Sequence, residues 1–199
     1  MPAVRIDDQL EEMRGYIARS DWDGLENNAR KRAEKLAGKE ITAKIAAVNL
    51  SAYSEQLEDA MKDVFESAEE QDAAAVYFEY DMEHNWSGTF FVCHDYMSED
   101  EEDDDWAREG DEEMDGPESP ELAEFFDSDF DSSNKERGVN GYLIARSLAV
   151  FGRCAETMPD GDFAVCIGYH DQDHVTRIRE SHGHSMSGSD DDEDEEDDE

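Results

Sequence analysis

The sequence predicts an α+β fold: a small, mostly antiparallel sheet covered by helices, with a helical extension before it and an acidic tail after it. Three observations predict this. Apolar residues recur at helical spacing in several stretches; two neighbouring segments alternate with period two; and a short continuous apolar run suits a strand buried on both faces. On this basis the chain divides into an N-terminal helical segment, 1–50, an α+β domain, 51–181, carrying an acidic insertion at 98–131, and a disordered acidic tail, 182–199.

In the first segment Ile6, Leu10, Met13 and Ile17 share one helical face, and Trp22, Leu25, Ala29, Ala33 and Leu36 share another before Gly38, a residue suited to stop a helix. Two short helices joined around Ser20 and Asp21 follow from this spacing. The second carries Arg30, Lys31, Arg32, Lys35 and Lys39, which read as a solvated face. Ser51 is placed to cap a third helix, in which Tyr53, Leu57, Ala60, Met61, Val64, Phe65 and Ala68 form a stripe opposite Glu55, Glu58, Asp59, Lys62, Asp63 and Glu66.

From Ala73 the period changes to two. Val76, Phe78 and Tyr80 alternate with Tyr77, Glu79 and Asp81, and after the turn-rich 84–88 (HNWSG) the run 89–97 (TFFVCHDYM) predicts the second strand of a hairpin. The insertion at 98–131 is too charged to pack except through Trp106, Leu122, Phe125, Phe126 and Phe130. It reads as a loop containing one short helix near 118–126, after Pro117 and Pro120. A core helix follows over 139–158, ended by Pro159, Asp160 and Gly161, and then the buried strand 163–169 (FAVCIGY). Phe65, Phe78, Phe91, Val150 and Ile167 are expected to share one core. Residues 185–199 hold ten carboxylates and a single apolar side chain, Met186, so burial cannot offset the entropy of ordering them.

The formal charge is −39, from 56 acidic and 17 basic residues among 199. Residues 1–50 are neutral, with nine of each sign, so the whole excess lies beyond position 50. That balance argues against binding nucleic-acid phosphates or anionic membranes, both of which require Lys and Arg. It favours basic protein surfaces, or serves solubility in high salt, as Asp-rich and Lys-poor composition also does. Cys93, Cys154 and Cys166 show no C-x-x-C spacing and sit among apolar neighbours, which predicts buried free thiols in a reducing compartment. With no apolar leader at the N-terminus and no run of 18 apolar residues, a cytoplasmic protein is expected.

His170, Asp171, Asp173, His174, His182 and His184 are residue types that bind divalent metals, but their spacing matches no standard site. Glu79, Asp81, His94 and Asp95, on two strands of one hairpin, are either an acid/base set or the solvent face of that hairpin. The G-x-S-x-G, H-E-x-x-H, G-x-G-x-x-G and P-loop patterns are missing, which removes the commonest hydrolase, zinc-protease and nucleotide-binding signatures. No cofactor is called for.

The amphipathic helix at 53–68, the strand VYFEYDM (76–82), the acidic DDDWA (103–107), the long helix and the closing CIGYHDQD (166–173) resemble, in order and texture, the uncharacterised bacterial domain-of-unknown-function family 4303 over residues 51–181. That family is similar to the small α+β immunity proteins that bind and block a toxin. The resemblance implies a non-enzymatic acidic protein that holds a basic protein partner. The acidic surface centred on the hairpin and the insertion supplies the expected contact residues: Asp103, Asp104, Asp105 and Trp106, and Trp86 at the hairpin tip, whose indole either anchors a partner or folds back onto the sheet. The alternatives are a metal-dependent enzyme using His170, Asp173 and His174, and a generic acidic chaperone for basic proteins.

Overall fold

A computed structural model describes residues 6–98, 104–108, 110, 112–126, 132–170 and 175–181. The expected acidic tail, 182–199, lies outside the described residues, as do Asp103, Asp173 and His174.

Three helices open the chain: α1 (Ile6–Ile17), α2 (Trp22–Leu36) and α3 (Lys39–Ala46). The Asp21 carboxylate caps α2 by accepting from Gly24 N. Gly38 ends α2 at φ +97°, in the region glycine enters without a Cβ penalty, and its backbone then starts α3. Helix α4 (Ser51–Glu70) buries the predicted stripe of Tyr53, Leu57, Met61, Val64, Phe65 and Ala68. Its cap differs from the expectation: Asn49 Oδ1, not Ser51, accepts the first free N–H, that of Ser51 itself, at 3.0 Å.

The sheet has five strands in the order β3-β2-β1-β4-β5: β1 (Ala75–Asp81), β2 (Ser87–Cys93), β3 (Glu112–Asp115), β4 (Ala164–Tyr169) and β5 (Thr176–Arg179). Only β1 and β4 run parallel; the other three pairings are antiparallel. The short helix α5 (Pro120–Ala123) and the 24-residue α6 (Asn134–Thr157) fall between β3 and β4. Ser133 caps α6, accepting from Glu136 N, so this helix begins five residues before the first position that apolar spacing predicted.

Helix α6 is the centre of the molecule. It is buried continuously from Gly138 to Gly152, with the sheet on one side and the N-terminal helices on the other, as a helix with apolar residues all round must be. Gly152 lets the Trp22 indole approach so closely that a Cβ there would lie 2.4 Å from the ring. Residues 1–50 were expected as an extension, yet Met13, Ile17, Trp22, Leu25, Ala29, Ala33 and Ile45 belong to the same core cluster as α4, α6 and the sheet.

Phe65, Phe78, Val150 and Ile167 lie together in that cluster, as expected, but Phe91 does not. The register pairs Phe78 with Phe90 (ring centroids 4.5 Å apart) and both rings meet Phe151 of α6; Phe91 is opposite Tyr77 on the other face of the sheet, half-buried. In the contiguous run TFFVC either phenylalanine satisfies an apolar face. Only the pairing with β1 decides which one points inward.

Candidate binding face of the sheet

The face of the sheet turned away from α6 is built in rows. Directly opposed residues share a face, so Gly168, Glu79, Thr89 and Asp115 form one row across β4, β1, β2 and β3, and Cys166, Tyr77, Phe91 and Glu113 form the next; Asp81 and Ser87 lie beyond the first. Four carboxylates, Glu79, Asp81, Glu113 and Asp115, therefore occupy one end of this face, with the stacked Tyr77 and Phe91 rings (5.9 Å) beside them. Glu113 and Asp115 are exposed; Glu79 and Asp81 are half-buried.

Each half-buried carboxylate has a histidine. His170, whose N–H extends the β1–β4 ladder to Tyr80 O, places Nδ1 2.9 Å from Glu79, and His84 in the hairpin turn places Nδ1 2.6 Å from Asp81. The postulated grouping of Glu79 and Asp81 with His94 and Asp95 does not form. His94 follows Cys93, which pairs with Ala75, at the opposite end of β1 from Asp81 and roughly 20 Å away at 3.3 Å per residue. An antiparallel partner brings the start of one strand to the end of the other, and adjacency in sequence hides that. Among the described residues, no group of three or more His, Cys, Asp or Glu is placed to hold a metal ion.

The other end of this face is covered by the insertion itself. A 3-10 turn (Asp105–Arg108) seats Trp106 and Ala107 on Ala75, Tyr77, Cys93, Ala164 and Cys166, with Tyr96 edge-on to Trp106 at 5.1 Å. Asp104 fixes this strap: its carboxylate accepts from Arg177 Nη2 at 2.7 Å and from Val175 N at 2.9 Å. Burial beneath the strap pushes the Cys166 thiol far up, and Tyr96, also raised by desolvation, donates its hydroxyl to Glu180. Cys93, Cys154 and Cys166 are all buried and free, as expected.

The aromatic residues offered as partner anchors are thus internal. Trp106 is buried under its own loop, and Trp86 is fully buried, donating Nε1–H to Ser147 Oγ of α6 at 2.8 Å. Asp104 is committed to Arg177. Three contributors, on two short strands, carry no signal in the sequence. Glu113 and Asp115 belong to β3, whose four residues hold one apolar side chain, Met114; Arg177 belongs to β5, which reads TRIR. Such short polar strands carry no periodic signal long enough to register.

Desolvation alone raises Asp81, but hydrogen bonds from the His84 ring and from the backbone N–H groups of Glu83 and His84 outweigh it and leave its pKa below the ordinary 3.8. A carboxylate depressed in the folded state contributes stability that is present above its unfolded value and is lost as pH falls through the folded one. Asp81→Asn is expected to cost about 0.5–1 kcal/mol at neutral pH, and this deficit is expected to shrink as melts are carried below pH 3.8 and to vanish below the lowered pKa of the folded state. A deficit that persists in acid means that Asp81 acts through packing.

Compared with protein-family models, with curated proteins and with solved structures, the chain matches none.

Proposed function

We propose that this is a non-enzymatic acidic binding protein that holds a basic protein partner through the carboxylate end of the outer sheet face. The observation that carries the reading is the strand register, which gathers Glu79, Asp81, Glu113 and Asp115 onto one surface beside Tyr77 and Phe91. Carboxylates spaced across neighbouring strands complement Lys and Arg side chains by charge, and of the two rings beside them only Phe91, half-buried where Tyr77 is buried, adds surface for a partner. The distribution of cations supports it further. Arg32, Arg146, Arg153, Arg177 and Arg179 all pair with carboxylates of the chain itself. The negative excess remains for a partner.

Immunity against a basic toxin, which the family resemblance implies, is the specific form of this reading, and the three free buried thiols support a reducing, cytoplasmic setting for it. No helix of the described residues is long and apolar enough to cross a membrane.

The test separates a site from bulk charge. Glu79→Gln/Glu113→Gln/Asp115→Asn and, as a control of equal charge change, Glu55→Gln/Asp63→Asn/Glu66→Gln on the exposed side of α4 are compared for association with a panel of basic proteins. The sheet variant is expected to slow association by about tenfold at low salt, with the difference from wild type fading toward roughly 0.5 M salt. Equal losses in both variants reduce the interaction to generic polyanion behaviour and refute the site.

A further inference from the structure

β3 is an edge strand of the sheet, and the direction of its backbone groups follows from the ladder. Gly116 N donates to Gly88 O at 2.8 Å, in step with the pairing of Phe90 with Met114 and of Val92 with Glu112. Bonding alternates along an antiparallel pair, so Glu112 and Met114 exchange bonds with β2, while Glu113 and Asp115 turn their N–H and C=O groups away from it. The rest of the sheet agrees. Ala164 N donates to Ala74 O and His170 N to Tyr80 O, both at 2.9 Å, so the even-numbered residues of β1 face β4 and the odd-numbered ones face β2. In the β1–β2 register odd pairs with odd, which leaves the even-numbered residues of β2 for β3.

Among the described residues, neither Glu113 nor Asp115 has a hydrogen bond or ion pair outside that ladder. The strand itself is held: Ser67 Oγ and Gln71 Nε2 of α4 donate to the Glu112 carboxylate at 2.6 and 2.5 Å. An open strand edge is a template for another strand, and its charges decide which strands can use it. Glu113 and Asp115 are exposed on one face, two residues apart, so a second copy offering the same edge meets like charge at both positions. The basic RIR of β5 is not free for this role, because Arg177 and Arg179 pair with Asp104 and Asp160 of their own chain. What the edge complements is an extended segment with cations at positions i and i+2.

Resting on the binding role of the carboxylate face, we propose that the element recognised is a basic extended segment of a partner protein, Lys/Arg–apolar–Lys/Arg, which adds to β3 as a further antiparallel strand. Its two cationic residues lie opposite Glu113 and Asp115, exchange N–H···O=C bonds with them, and set their side chains on the outer face beside the four carboxylates. The residue between them turns to the inner face next to half-buried Met114, and its own amide points away from β3. Antiparallel addition repeats the β2–β3 pairing and is the more stable ladder per residue.

The test is calorimetric titration of the full chain, at low salt, with the peptide acetyl-Thr-Lys-Val-Lys-Thr-amide and two N-methylated forms of the same charge. One is methylated on both lysine amides, which face β3 in the proposed pairing; the other is methylated on the valine amide, which does not. The parent and the valine-methylated peptide are expected to bind alike, and the lysine-methylated one about tenfold more weakly, or worse, for the loss of two backbone hydrogen bonds. Glu113→Gln/Asp115→Asn, a change of two exposed side chains, is expected to weaken the parent peptide by about tenfold as well. Strand addition is overturned if the parent does not bind at about 1 mM, if the two methylated peptides bind equally, or if the valine-methylated peptide is the weaker. Its failure is distinct from failure of the binding role. If the methylated peptides bind equally while the triple sheet variant still slows association more than the α4 control does, the face holds its partner by side chains alone; equal losses in those two variants refute the face itself.

Discussion

Trp86→Ala is expected to lower the free energy of unfolding by about 3–5 kcal/mol, the range for removing a large aromatic side chain from a core. The indole has no exposed surface. It stacks on Tyr80 at 5.7 Å, meets Phe126 edge-on at 6.2 Å, and donates to Ser147 on the central helix. The turn that delivers it is unusual: Asn85 and Trp86 both have φ near +57°, a region a bulky side chain enters only when its surroundings compensate. Burial and the Ser147 bond supply that compensation, so the tryptophan ties the β1–β2 hairpin to α6. Trp86→Phe separates the two contributions. It keeps most of the ring contacts and removes the donor, and because Ser147 still donates to the Leu143 carbonyl, the hydrogen-bond part is about 0.5–1.5 kcal/mol. Urea midpoints of the two variants decide the matter. A near-neutral Trp86→Ala shows that the indole is not structural and returns it to the role of a surface anchor.

The burial of Trp86 marks where the sequence stops being legible. The stripe on α4, the alternation along β1 and the apolar run of β4 are local patterns repeated over enough residues to be read directly, and each is observed. The turn HNWSG reveals its turn character through Asn85, Ser87 and Gly88, but where its tryptophan points depends on left-handed backbone and on a helix sixty residues away. β3 and β5 are four residues each, edge strands recruited by the ladder of a neighbour and not by their own pattern. Helix α3 carries no separate signal in the sequence, because Gly38, which stops α2, also starts α3. The candidate face was half visible: period two placed Glu79 and Asp81 on the outer side, whereas Glu113 and Asp115 joined them only through a pairing between segments twenty-odd residues apart.

Arg146→Ala is expected to cost about 3 kcal/mol, at roughly 1–3 kcal/mol for each of the two buried acceptors it leaves, although Arg146 stands in the midst of a helix where sequence alone gives a charged residue little to do. The residue is only 8% exposed, and its guanidinium works along both edges: Nη1 donates to Ile45 O at 2.5 Å, Nη2 to Val48 O at 3.0 Å, and Nε lies 3.4 Å from Glu26. The two carbonyls lie at the C-terminal end of α3, where helical acceptors lack partners and a cation is favoured by the helix dipole. One side chain of α6 thus fastens both α2 and α3 to the centre of the molecule. Removing it leaves two carbonyls without that donor and opens a void, but it does not strand Glu26, which keeps Arg153 at 2.7 Å. The cost therefore comes mainly from the α3 end, and Arg146→Lys is expected to recover only part of it, since an ammonium cannot span the separate acceptors that the planar fork reaches. By contrast, deleting the exposed Lys62–Asp59 pair on α4 is expected to leave the urea midpoint nearly unchanged. Hydrogen exchange distinguishes the mechanism: Arg146→Ala is expected to raise exchange first in α3 and in the connection to α4, with β1 and β4 protected until global unfolding. Uniform acceleration across the sheet and all the helices shows instead that Arg146 supports the whole core, and a loss under about 1 kcal/mol shows that the N-terminal helices are held by apolar packing alone.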